Sequence, residues 1–132
     1  MAMRAGRVLI VDDAKRQREL YRLILEDAGY EVTVTQDVNQ ALLLARENHF
    51  DLVLNDDKTT GTGSLMLAIE LNREIPSAFV LTIITGSEKR LTHGSPEEIE
   101  AALRSPMFGI LEKPVDRIIL LGVVEGAIYR LK

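Results

Sequence analysis

Short apolar runs alternate with amphipathic helical segments along almost the whole of this chain, and that alternation constrains the fold more than any other feature. Arg7-Val8-Leu9-Ile10-Val11 is rich in β-branched residues and stops at Asp12-Asp13, the pattern of a strand buried on both faces of a parallel sheet. From 14 to 28 the period changes: Leu20, Leu23, Ile24 and Ala28 recur at helical spacing, and Gly29 supplies a stop. A strand at 31–35 and a helix over Val38, Ala41, Leu42 and Ala45 repeat the unit. A strand at 51–55, a helix over Leu65, Ala68 and Ile69, and a long apolar strand at 78–84 follow. A short helix near Ile99, Ala102 and Leu103, a strand at 108–111 and a last helix at 115–131 complete the chain. Five such units predict an α/β fold, a doubly wound five-stranded parallel sheet covered by helices on both faces.

The chain has 132 residues and is 46% hydrophobic, enough for one core and too little for two, so a single domain at 7–132 after a short extension at 1–6 is expected. Lys and Arg number 16 against 20 Asp and Glu, which argues against a basic surface for nucleic acid. With no cysteine, disulfides, zinc knuckles and thiol catalysis are excluded together. The longest uncharged apolar stretch, 118–124, falls far short of the ~20 residues that span a bilayer. Residues 1–6 lack the apolar run of a secretory signal, so a cytoplasmic protein without membrane contact is expected.

In open parallel sheets, ligands bind beyond the carboxyl ends of the strands. Here those ends carry Asp12 and Asp13, Asp56 and Asp57, Thr85 and Gly86, and Glu112-Lys113-Pro114. If the first and third strands are neighbours, roughly 4.8 Å apart, their carboxylates share one pocket. Carboxylates gathered so closely repel one another unless a cation neutralises them, and an all-oxygen set favours Mg²⁺. A phosphoryl group is a natural guest, with Lys113 as a point charge and Thr85 as a hydroxyl donor.

Taken together, Val8-Leu9-Ile10-Val11-Asp12-Asp13, Phe50-Asp51-Leu52-Val53-Leu54-Asn55-Asp56, Thr85-Gly86 and Leu111-Glu112-Lys113-Pro114 closely resemble the receiver domain of two-component response regulators. The resemblance runs from about Arg7 to Leu131, with Asp56 lying 43 residues after Asp13. It implies a CheY-like, flavodoxin-like sheet of order 2-1-3-4-5 with five helices. It implies that Asp56 accepts a phosphoryl group from a phosphohistidine on a sensor histidine kinase or phosphotransfer protein. Asp13 and Asp56 would hold Mg²⁺ directly, Asp12 mainly through water, and the backbone carbonyl of Lys58 would complete the protein ligands. Lys113 would contact the phosphoryl group and Thr85 would swing toward it. Enzymatic activity would be limited to self-phosphorylation from a donor and self-dephosphorylation.

Several positions depart from that family's pattern. Thr59 and Thr60 stand where a Met-Pro pair is usual, and Asp57 and Asn55 replace residues that are commonly apolar. A buried Asn55 would need hydrogen-bond partners. Ile110 occupies the usual place of a switch aromatic, and Phe108 would face the same side of a regular strand. The stretch 87–95, with His93 read as a surface histidine, is longer than usual and suggests a private partner surface. Thr82 competes weakly with Thr85 as the switch residue. Thr60-Gly61-Thr62-Gly63-Ser64 lacks the lysine and glycine spacing of a nucleotide loop. Lys15, Arg18 and Arg22 form one stripe of the first helix, read as a solvated face.

The last helix is apolar all round at 118–124, which suggests a homodimer or packing against a segment absent from this chain, with Gly122 and Gly126 allowing close approach. Two further readings compete with a phosphorylated switch. One is a phosphorylation-independent pseudo-receiver acting as a protein-binding module. The other, a Mg²⁺-dependent phosphohydrolase, lacks an Asp-x-Asp arrangement after the first strand.

Overall fold

A computed structural model describes residues 6–56, 64–84, 97, 100 and 104–130. Its elements run β1 (Arg7–Val11), α1 (Lys15–Asp27), β2 (Glu31–Thr35), α2 (Val38–Glu47), β3 (Leu52–Asp56), α3 (Ser64–Glu74), β4 (Phe79–Ile84), β5 (Phe108–Glu112) and α4 (Arg117–Arg130). The five strands are all parallel and ordered β2-β1-β3-β4-β5, which places β1 beside β3 as the carboxylate argument requires.

Because successive strand residues point to opposite faces, one sequence feeds two cores. Val8, Ile10, Leu52, Leu54, Leu81 and Ile83 pack beneath α1 and α4, against Tyr21, Leu25, Leu120 and Val124. Leu9, Val11, Val53, Val80 and Phe108 pack on the other face, against Ala41 and Leu42 of α2 and Leu71 of α3. The apolar side chains Val8–Val11 of β1 and Leu52–Leu54 of β3 are almost fully enclosed, and each Leu or Ile so buried contributes about 2 kcal/mol relative to exposure.

The helix ends follow from local chemistry. Gly29 takes φ +98°, and behind it the Tyr30 N–H reaches the Leu25 carbonyl at 3.0 Å while the Gly29 N–H reaches that of Glu26 at 3.0 Å, a Schellman stop. Asp37 caps α2 by accepting from the Asn39 N–H at 2.8 Å, and Asp116 does the same for Ile119 at the start of α4. That cap explains why α4 begins at Arg117 rather than at 115.

Two strand boundaries also shift. The third strand runs Leu52–Asp56: Asp51 stands just before it, its N–H donating to the Arg7 carbonyl at 2.9 Å and its carboxylate accepting from the Arg7 N–H at 2.8 Å, and Asp56 joins the ladder opposite Ile83. β4 starts at Phe79, since the Ala78 N–H closes a turn onto the Ile75 carbonyl at 3.2 Å. Four helices are delineated among the described residues. Glu97, Glu100 and Arg104 are helical, with Arg104 paired to Glu100, whereas Ile99, Ala102 and Leu103 of the predicted short helix lie outside the described residues.

α4 carries apolar residues on both sides, as its sequence suggests. Leu120, Val124, Ala127 and Ile128 are buried, yet Ile118 is 82% and Tyr129 81% exposed, and open space surrounds Gly122 and Gly126. Arg117 ties the start of this helix to Asp27 at the end of α1, at 2.5 Å.

Candidate functional site

The strand ends converge on a small acidic rim. Asp12 directly follows β1, where its N–H donates to the Thr35 carbonyl at 3.0 Å and its Oδ1 accepts from the Ala14 N–H at 2.9 Å. Arg18, one turn into α1, folds back so that Nη1 donates to the Asp12 carbonyl at 2.9 Å. Asp56 closes β3, and since Val11 pairs with Asn55, Asp12 and Asp56 leave adjacent strands at the same level. Both are buried, at 1% and 2% exposure, while Asp13 is exposed.

Lys113 immediately follows β5, two strands away from β3. Its side chain must therefore cross above β4, a span of about 10 Å at ordinary strand spacing. It does so: Nζ stands 2.8 Å from Asp56 Oδ2. The Lys113-Pro114 peptide is cis.

The Asp12 carboxyl is pushed up from 3.8 to about 6. Burial is the main cause, with the charges of Asp56 and Asp13 adding to it, against the opposing Ala14 N–H and Lys113 charge. Its Oδ2 is buried without a hydrogen-bond partner among the described residues. Such an oxygen, in a neighbourhood of unbalanced negative charge, suits a hard divalent cation. Among the described residues no three metal-ligating side chains form a ready cage. Mg²⁺ does not require one, because it keeps several waters and takes one or two carboxylates together with phosphate oxygens. The residues therefore fit the ion.

Asn55 has a partner that sequence reasoning could not name. Its Oδ1 accepts from Thr82 Oγ1 at 2.8 Å, and both residues are fully buried. Thr82 thus sits inside the sheet rather than on the rim. Phe108 and Ile110 do face the same side, but Phe108 is buried in the core. Arg18 was hidden in a stripe that reads as solvated, and its sibling Arg22 does remain a surface residue paired with Glu19 and Glu26. Asp57, Lys58, Thr85, the stretch 59–63 and the long segment 86–96 with His93 lie outside the described residues. No helix among the described residues is long and apolar enough to cross a membrane.

Residues 8–125 match the response regulator receiver domain family. The chain belongs to that family. This receiver domain is 36% identical over 109 residues to a response regulator receiver protein of Anaeromyxobacter sp. (strain Fw109-5), an overlap covering 83% of this chain and 43% of that protein. It is 34% identical over 108 residues to the polar-differentiation response regulator DivK of Brucella ovis, covering 76% of this chain and 88% of DivK. A matching region of the Pseudomonas aeruginosa sensor histidine kinase AruS, 30% identical, makes up 10% of that protein. The receiver domain thus spans less than half the length of two of these relatives. Among solved structures, a CheY-like receiver domain protein of Methanospirillum hungatei JF-1 superposes with a TM-score of 0.77 at 23% identity, covering 96% of this chain and 95% of that one. Vibrio cholerae CheY4 gives 0.73 at 26% identity, covering 96% and 99%. The five-stranded 2-1-3-4-5 sheet is the fold these share, and two-component signalling is the setting of the family.

Proposed function

We propose that this receiver domain is a phosphorylation-dependent switch whose acceptor is Asp56, charged by a sensor histidine kinase or a phosphotransfer protein. The observation that carries the reading is the Lys113 ammonium 2.8 Å from Asp56 Oδ2, at a rim where Asp12 supplies a second buried carboxylate. An Asp56 carboxylate oxygen attacks phosphorus in line as the bond to the donor imidazole nitrogen breaks. The electron pair of that bond leaves with the imidazole, and an acyl phosphate forms. Lys113 stabilises charge on the equatorial phosphoryl oxygens. Asp12, Asp13, Asp56 and the backbone carbonyl of Lys58 would hold Mg²⁺, which supplies further charge neutralisation when bound.

The new group adds charge and acceptor oxygens at the rim. The Thr85 hydroxyl is placed by sequence to answer it, shifting the population of conformers around β4 and β5. The match to a region of AruS, a sensor histidine kinase, supports a kinase-linked partner, and a cytoplasmic location accords with such a donor.

Beryllofluoride, a tetrahedral stand-in for the phosphoryl group, is expected to bind in the presence of Mg²⁺ and raise the melting temperature. Asp56→Asn should abolish that rise. Parent protein that shows no shift, and no change in its amide NMR spectrum, would favour the pseudo-receiver reading instead.

A further inference from the structure

On the sheet face beneath α2 and α3, the positions Leu9, Val11, Val53 and Val80 are apolar and buried, and the hydrogen-bonded pair Asn55 and Thr82 interrupts them. We propose that Asn55 and Thr82 are positioning residues that set the aim of the acceptor carboxylate, a role that rests on Asp56 being the phosphoacceptor.

The bond between Thr82 and Asn55 contributes little net stability by itself. A buried hydrogen bond contributes only about 1 kcal/mol net, and replacing both partners by apolar groups of the same shape is commonly neutral or stabilising. Leu and Val approximate Asn and Thr in shape and remove the bond between them. What an apolar pair lacks is direction: dispersion contacts tolerate sliding, whereas a hydrogen bond weakens steeply as its geometry departs from the optimum.

The location makes that direction useful. Asn55 pairs with Thr82 in the β3–β4 ladder, and the next pair is Asp56 with Ile83. Thr82 in turn pairs with Ile110 of β5, three residues before Lys113. The Lys113 ammonium reaches Asp56 from β5 across β4, so any shear between β3 and β4 changes that approach directly. The Thr82 hydroxyl on Asn55 Oδ1 locks the shear one residue before the acceptor. Misplacement of reacting groups by about 1 Å can cost on the order of a hundredfold in rate, and smaller shifts cost less.

The test uses two variants of the full chain, with two readouts each: urea denaturation and the initial rate of phosphoryl uptake from acetyl phosphate with Mg²⁺. Thr82→Ser keeps the hydroxyl but removes a buried methyl. It should lose stability while its rate stays within about twofold of the parent. The double variant Asn55→Leu/Thr82→Val keeps shape but removes the bond. It should still unfold cooperatively, yet react about tenfold more slowly. A double variant that reacts at the parental rate overturns the proposal and leaves Asp56 as acceptor untouched. A double variant that does not fold, or a Thr82→Ser protein as slow as the double variant, overturns it in favour of a packing role. Parent protein that takes up no phosphoryl group overturns both this inference and the acceptor reading.

Discussion

In metal-free protein at pH 7, Asp12→Asn is expected to increase stability by about 1 to 3 kcal/mol. The upper figure is the free-energy equivalent of moving the carboxyl from 3.8 to about 6. Between those two values the folded protein retains a proton on Asp12 that the unfolded chain has released. Stability from this group is therefore greatest below 3.8, falls as pH rises through the window, and levels off above about 6. The variant should lack that segment of the pH profile, so the difference between the two profiles isolates Asp12 from the other carboxylates. Urea denaturation from pH 4 to 8 measures it. Added Mg²⁺ should stabilise the parent and stabilise the variant much less. A parent and variant with superimposable profiles would refute the assignment of unbalanced charge to this rim.

Lys113→Met is expected to act in the opposite direction. It deletes the ammonium 2.8 Å from a carboxylate that is only 2% exposed and that stands beside the buried Asp12. Breaking a buried pair from one side costs about 3 kcal/mol, and denaturant midpoints in metal-free buffer would show it. Mg²⁺ should recover a larger share of stability in this variant than it adds to the parent. Phosphoryl uptake should fall about a hundredfold even with Mg²⁺ present, because the charge on the transferring group loses a preorganised partner. Unchanged stability together with unchanged uptake would remove Lys113 from the site.

The architecture was legible because its signals are local. β-branched runs of about strand length, helical periods between them and a glycine after α1 each act over a few residues, and their repetition determines the class. The rim was legible for a related reason: residues that terminate parallel strands gather at one edge whatever the details of the loops. Boundaries were less so, since what Asp51 bonds, the backbone of Arg7, lies 44 residues away in sequence. The partner of Asn55 was beyond reach for the same cause. Thr82 is 27 residues distant, and only the β3–β4 register brings the two together. Arg18 presents a subtler case. Its position on α1 reads as solvent-facing, and nothing in a helical period announces a side chain that turns back past the helix start to the Asp12 carbonyl.

The central claim is that Asp56 carries a phosphoryl group, and intact mass after incubation with acetyl phosphate and Mg²⁺ tests it most directly. Spectra recorded under conditions that preserve acyl phosphates should show a single phosphoryl adduct on the parent, lost in Asp56→Asn and lost when the metal is chelated. Absence of the adduct on the parent, or its persistence in Asp56→Asn, would contradict the account.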